Sequence, residues 1–291
     1  MKEFLDYLQS LAANGGPEPQ QYDELNGWFH RTHGSVSGLP KGQLTQLWDS
    51  FGKVFSVETL QGFSARKPHG YAGDFDIMER IYTRHASADP DLYRWDQFFH
   101  WQAACQAVCN RKTYFKNVMQ HLQSINPDAR VLDVASGSCR DIHEYLGENP
   151  QSRLAFDCID LDEKAIAHAR RLVPATQVNL WQGNAFRHAF APGHYDVVWS
   201  AGLFDYLEDR AFRVLLKRLA RAVKAGGELI IGNFTEPNPS RAYMEFGEWV
   251  LIHRTGEQLR ELATQAHIPH SGISIRQEPI GLNLFMHIRL P

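Results

Sequence analysis

The chain changes rhythm near residue 130, and that change constrains its fold more than any other feature. Before it, apolar residues recur at helical spacing; after it, short apolar bursts alternate with amphipathic stretches. The run that opens the second half is Val131-Leu132-Asp133-Val134-Ala135-Ser136-Gly137-Ser138-Cys139-Arg140-Asp141. It begins as a buried strand, turns through small residues and closes on polar residues that can start a helix. Small side chains let a ligand approach the backbone of such a turn, and the free N–H groups of the helix start point at it.

Downstream, strands are expected at 130–134, 154–159, 176–181, 195–200 and 228–234, with helices at 141–146, 163–173 and 209–223. Strands alternating with helices imply an α/β domain of parallel βαβ units with right-handed crossovers. Ala225-Gly226-Gly227 reads as a helix C-cap feeding the fifth strand, and 236–253 as a helical insertion led by Pro237 and Pro239. A last helix at 256–266 precedes a closing pair, 273–277 and 282–288, which makes the final strand antiparallel.

The first 125 residues read as a helical region distinct from the domain at 126–291. Helices are expected at 1–14, 22–33, 44–55, 75–84 and along an aromatic-rich stretch from 91 to 124, with loops at 15–19 and 34–42. Ser64-Ala65-Arg66-Lys67-Pro68-His69-Gly70-Tyr71-Ala72-Gly73-Asp74-Phe75 combines glycines with many hydrogen-bonding side chains, so it is read as a site loop. Trp95, Phe98, Phe99, Trp101, Tyr114 and Phe115 are core candidates, some of which could also line a pocket.

Net charge is −3 and no basic block stands out, which argues against nucleic acid or an anionic membrane surface as partner. The four cysteines form neither a disulfide framework nor a zinc set, so no metal is expected and free thiols suit a reducing cytoplasm. No run approaches the ~18 apolar residues of a membrane span. The expected partner is a small-molecule substrate, and the helical region could serve as the face of a homodimer.

Asp160, at the tip of the second strand with Leu161 after it, can accept hydrogen bonds from a ribose diol; it could equally cap the next helix. After the third strand, Asn184-Ala185-Phe186 suits the edge and face of an adenine, or a plain turn. After the fourth, Ser200-Ala201-Gly202 leads into Phe204 and Tyr206, small residues followed by bulky ones.

This order of turn, acid, Gly183-Asn184-Ala185, strand-4 loop, Gly226-Gly227 and terminal hairpin resembles the class I S-adenosylmethionine (SAM)-dependent methyltransferases, from about Ala129 to the C-terminus. Of the family's three turn glycines only Gly137 remains, with Ala135 and Cys139 in the other places, and Asn184 stands for the commoner Asp. Lys67-Pro68-His69-Gly70-Tyr71-Ala72-Gly73-Asp74 together with Gly137-Ser138-Cys139-Arg140-Asp141 is similar to bacterial methyltransferases that form 3-hydroxy fatty acid methyl esters. The resemblance implies a Rossmann-like sheet with a helical N-terminal cap, SAM as cofactor and carboxyl O-methylation. Asp133, Ala135, Ser136, Gly137, Asp160, Leu161, Asn184, Ala185, Phe186, Ser200, Ala201, Gly202 and Arg111 are the candidate cofactor residues. His69, Tyr71 and Tyr206 are the catalytic candidates, and Lys67, Asp74, Phe204, Tyr243 and Met244 the substrate-binding ones. Transfer to a hydroxyl, phenol or amine is the alternative, with His69 as base. A nicotinamide oxidoreductase would want Gly-x-Gly-x-x-Gly, which the turn lacks; a non-catalytic SAM-binding protein is the remaining class.

Overall fold

A computed structural model of the chain describes residues 2–268 and 272–291. Met1, placed in the first expected helix, lies outside them. Along the first part run α1 (Lys2–Ala13), α2 (Tyr22–Val36), α3 (Lys41–Asp49), α4 (Leu60–Arg66), α5 (Phe75–Tyr82), α6 (Pro90–Trp101) and α7 (Ala103–Ile125). Then come β1 (Arg130–Val134), α8 (Arg140–Glu148), β2 (Ala155–Asp160), α9 (Glu163–Leu172), β3 (Val178–Gln182), β4 (Tyr195–Ser200), α10 (Asp209–Ala222) and β5 (Val223–Phe234). The chain closes with α11 (Arg241–Phe246), α12 (Gly256–Gln265), β6 (Ile273–Gln277) and β7 (Asn283–Arg289). It divides into two compact units, 1–106 with 238–250, and 107–237 with 251–291.

The second unit is built on a seven-stranded sheet of order β3-β2-β1-β4-β5-β7-β6. The pairs among β1 to β5 are parallel, while β7 runs antiparallel to both β5 and β6, the expected closing hairpin. Because side chains alternate across a strand, Leu132 and Val134 enter one buried cluster, with Phe212, Leu216 and Leu259 of α10 and α12. Val131 enters the other, with Phe115, Met119 and Leu122 of α7 and Ile142 of α8. Burying both faces of β1 explains its near-continuous apolar run.

α7 shows why the expected boundary at 125 shifts. The division falls between Gln106 and Ala107, inside the helix, because Phe115 and Met119 are fully buried against Val131, Phe156 and Trp199 of the sheet. The insertion 238–250 is grouped with the first unit instead. There Tyr243 and Phe246 join Phe29 and Phe98, with ring centroids 4.9–5.2 Å apart.

Several local expectations are corrected. The stretch 91–124 is two helices, broken at Gln102, whose extended backbone (φ −55°, ψ 134°) leaves the helical region. Helix α4 falls where no helix is expected, started by Thr59, whose hydroxyl accepts from the Gly62 amide. Ala225-Gly226-Gly227 is no helix cap: α10 ends at Ala222 and the chain enters β5 at once, with Val223 beside Tyr195 and a register shift after it. The proposed long helix at 236–253 reduces to the six residues of α11.

Candidate active site

The turn after β1 has the geometry its small residues allow. Ala135, Gly137 and Cys139 all sit in the left-handed region (φ 58°, 55° and 54°). An l-residue there costs roughly 1–2 kcal/mol, so two non-glycine residues are held at a cost that the neighbouring strand offsets. The Ala135 and Ser136 amides donate to the Ile159 carbonyl, at 2.8 and 3.3 Å. Cys139 is fully buried beneath the turn and precedes α8, while Ala135 is exposed at the carboxyl edge of the sheet.

Asp160 joins this turn to the end of β2. One carboxylate oxygen accepts from the Gly137 amide at 2.8 Å, the other from the Asp162 amide at 2.9 Å. Burial raises its pKa, and these two N–H donors partly offset that. Each oxygen retains acceptor capacity, since a carboxylate offers about four lone-pair sites. The helix-capping task goes to Asp162, which accepts from the Lys164 amide at 2.8 Å. Leu161 beside it is 66% exposed, an apolar surface at the rim.

Three further carboxylates and one guanidinium complete the crevice. Burial pushes Asp133 well above the usual carboxylate range; Asp141 and Asp160 add to the rise and Arg111 opposes it. Asp141 is pushed up to about 6, chiefly by burial. Asp205 rises to about 7, again by burial, against the Phe234 amide 2.6 Å away and the charges of Arg111 and Arg254. Arg111 is buried on α7, and its Nη1 donates to the Ala201 carbonyl at 3.0 Å, just past β4. Ala201 is also crowded from β5: a Cβ on Gly232 would lie 2.7 Å from its carbonyl oxygen, so that strand must carry glycine there. The loop beyond is pinned by Arg254, which donates to the carbonyls of Phe204 and Leu207 and to Asp209. The sequence reading assigned no role to Asp141, Asp205 or Arg254; for Asp141 the signal was its place at the start of α8.

Other sequence candidates are used by the fold. Phe204 is fully buried in the core beside Phe212, with centroids 4.7 Å apart, which corrects its assignment to substrate binding. The Ser200 hydroxyl donates to the Val134 carbonyl inside the sheet, so it is a strand tie rather than a free donor. Asn184 accepts from the Phe186 amide, closing its own turn. Ala185 and Phe186 are half-buried against the core. Gly202 lies close to the Arg111 guanidinium, and Tyr206 is 38% exposed.

Within the first unit, Asp74 is an N-cap, accepting from the Asp76 and Ile77 amides at 3.0 and 2.9 Å and nearly fully buried. Tyr243 is buried too, its hydroxyl donating to Gln61 at 2.8 Å, and Met244 accepts from the Asn238 amide. These placements correct Asp74 and Tyr243 as substrate contacts. Lys67 ends α4 and donates to the Glu248 carbonyl at 2.9 Å. His69 lies against Phe75, centroids 4.8 Å apart, with Nε2 3.6 Å from Asp76 and a buried, unpartnered Nδ1. Tyr71 is 40% exposed.

The turn, the strand-2 acid and the antiparallel seventh strand give the second unit the Rossmann-like fold found in SAM-dependent methyltransferases. The residues suit that donor: Asp160 has free acceptor sites for a diol, the Ser136 hydroxyl is buried without a partner, and an acidic cluster with one arginine suits a cationic amino acid bearing a carboxylate.

Comparison with known proteins agrees. Residues 131–227 match the family described as "Methyltransferase domain". The chain is 28% identical over 141 residues to 2-methyl-6-phytyl-1,4-hydroquinone methyltransferase of Synechocystis, covering 47% of this chain and 42% of that one. It is 27% identical over 128 residues to the ubiquinone/menaquinone biosynthesis C-methyltransferase UbiE of Wigglesworthia glossinidia brevipalpis, covering 42% and 50%. It thus spans about half the length of these curated relatives or less. Among solved structures, a "possible exported protein" from Bordetella parapertussis shares the fold at TM-score 0.61 and 21% identity, covering 75% of this chain and 79% of that one. The CurJ carbon methyltransferase does so at 0.51 and 12%, covering 65% and 56%. Among the described residues no helix is long and apolar enough to cross a membrane.

Proposed function

We propose that the chain is a SAM-dependent methyltransferase that esterifies the carboxyl group of a small or fatty acid, a 3-hydroxy acid being the first choice. The observation that carries the donor half is the union of the left-handed turn at Ala135–Cys139 with the Asp160 carboxylate, 2.8 Å from the Gly137 amide. When bound, SAM supplies a methyl group made electrophilic by its sulfonium. Asp160 would hold the ribose diol, Leu161 and Phe186 would flank the adenine, Asp133 would face the ammonium and Arg111 the carboxylate. What the protein then contributes is position and exclusion of water.

The acceptor half rests on the resemblance of the 67–74 and 137–141 motifs and on chemistry. A carboxylic acid of pKa about 4–5 is already ionised at neutral pH, so its oxygen needs no proton removed before it attacks. Tyr206, an exposed phenol of the second unit, is the proposed acceptor contact. Incubating the full chain with deuterated-methyl SAM and a panel of 3-hydroxy fatty acids tests this: label should appear in a methyl ester. Label appearing as a methyl ether on the 3-hydroxyl, or none at all, would refute carboxyl transfer.

A second reading has its own support. His69 lies 3.6 Å from Asp76 with a buried, unpartnered Nδ1, and the curated relatives are named as a hydroquinone methyltransferase and a ubiquinone/menaquinone biosynthesis C-methyltransferase. An acceptor that must lose a proton, a phenol or an activated ring carbon, needs a base, and its turnover should fall as the pH is lowered from about 8 to 5. A carboxylate acceptor would give a flat profile across that range.

A further inference from the structure

We propose that Tyr114, held through His287 and Glu228, is a positioning residue for Arg111 and so sets where the guanidinium meets the donor's carboxylate. This rests on the donor-site reading above. Arg111 reaches the Ala201 carbonyl from α7, a helix of 23 residues, and its fork of donors has fixed geometry. A site of this kind tolerates displacements of only about 0.5 Å, so something must stop the helix from sliding or turning on its apolar bed.

Tyr114 lies one helical turn after Arg111, on the same side of α7. Its ring stacks on Phe285 of β7 with centroids 4.0 Å apart and planes at 14°. Its hydroxyl is 2.7 Å from Nε2 of His287, also on β7, and Nδ1 of His287 is 2.8 Å from Glu228 of β5. The His287 ring thus bridges the two, Nδ1 facing the Glu228 carboxylate and Nε2 the Tyr114 hydroxyl. Burial alone would raise Glu228, but the hydrogen bond from His287 and the charges of His287, Arg276 and Arg289 outweigh it and hold the acid low, an ionised anchor.

A second fastening lies on the other side of Arg111. Asn110 donates to Glu278 at 2.7 Å, and that buried acid also accepts from the Ile280, Leu282 and Asn283 amides. Both ties run from α7 to the antiparallel edge, and β5 is the strand whose Gly232 presses on Ala201. Strand β5 therefore carries both Glu228, which anchors the helix bearing Arg111, and Gly232, which packs against the carbonyl that Arg111 touches. Directional hydrogen bonds fix a helix's register where apolar packing alone would let it shift.

The test uses the full chain, Tyr114→Phe, which keeps the stacked ring and removes only the hydroxyl. Calorimetry with S-adenosylhomocysteine, which has the amino acid carboxylate, should give a Kd about 5–10-fold weaker than wild type, the size expected for one lost hydrogen bond. With 5′-methylthioadenosine, which lacks that carboxylate, Kd should stay within about twofold. Arg111→Lys should lose a similar factor for the first ligand, and the double variant little more, because the two act as a unit. Asn110→Ala should repeat the ligand contrast. Equal weakening of both ligands, an unchanged Kd, or losses that multiply in the double variant would overturn the proposal. Wild-type protein that binds neither ligand would instead refute the donor site itself.

Discussion

The turn at 135–139 and the loop at 64–75 look alike as sequence, since both mix polar residues with small ones and precede a helix. They are built to different ends. In the turn, Asp160 serves the backbone with both oxygens yet stays half-exposed with acceptor sites to spare. In the loop, Asp74 makes the same kind of bonds, to Asp76 and Ile77, but is sealed from solvent, and Lys67 is taken up by Glu248. A carboxylate that caps backbone amides can thus serve a ligand when the fold leaves it an open face and is a cap alone when it does not. Only exposure separates the two, and exposure is a tertiary property.

Substitution at the two aspartates should break the comparison most sharply. Asp160→Ala removes a charged acceptor from ribose and from the Gly137 amide; a loss of about 3 kcal/mol, on the order of 100-fold in Kd for S-adenosylhomocysteine, is expected by calorimetry. Asp74→Ala should instead cost about 1–2 kcal/mol of stability in denaturant unfolding, the value of a lost cap, with donor affinity unchanged. If Asp74→Ala weakened the donor as much as Asp160→Ala, the distinction would collapse.

Acidity sharpens the same contrast. Asp141 is pushed up to about 6, and Asp133 well above the usual carboxylate range, both chiefly by burial. A carboxyl whose pKa is higher in the folded than in the unfolded chain favours folding below the unfolded value, near 4, and loses that contribution as pH rises through the folded value. The free protein should therefore lose the contribution of Asp141 between about pH 4 and 6. A cationic donor placed among them offsets the repulsion once they ionise. The rise in Tm on adding SAM should be larger at pH 7.5 than at pH 5; a smaller rise at pH 7.5 would place the donor's charge elsewhere.

The smallest effect is expected at the loop's exposed phenol. Tyr71→Phe should lower turnover by roughly fivefold, one hydrogen bond's worth, while donor Kd holds. An unchanged rate would make 64–75 purely architectural.

Much of the sheet was legible because parallel strands buried on both faces read as apolar bursts, and β1, β4 and β6 fall where the sequence places them. The β5 start was not, because Gly226-Gly227 imitates a helix end, while Val223 pairing with Tyr195 carries the strand back past them. The break at Gln102 has no glycine or proline to announce it. Asp160 and Gly137 meet as their places at strand ends suggest, whereas Phe204 and Tyr243 are buried, because an apolar or phenolic side chain near a loop can pack inward as easily as outward. The Tyr114–His287–Glu228 chain joins residues 173 and 59 positions apart, a contact that no local pattern encodes.

The central assignment is most directly tested by a crystal structure of the full chain with S-adenosylhomocysteine. The ribose hydroxyls should lie within hydrogen-bond distance of the Asp160 carboxylate, with the thioether beside the turn at Gly137. A ligand bound away from both, or side chains filling that space when the ligand is at saturating concentration, would contradict it.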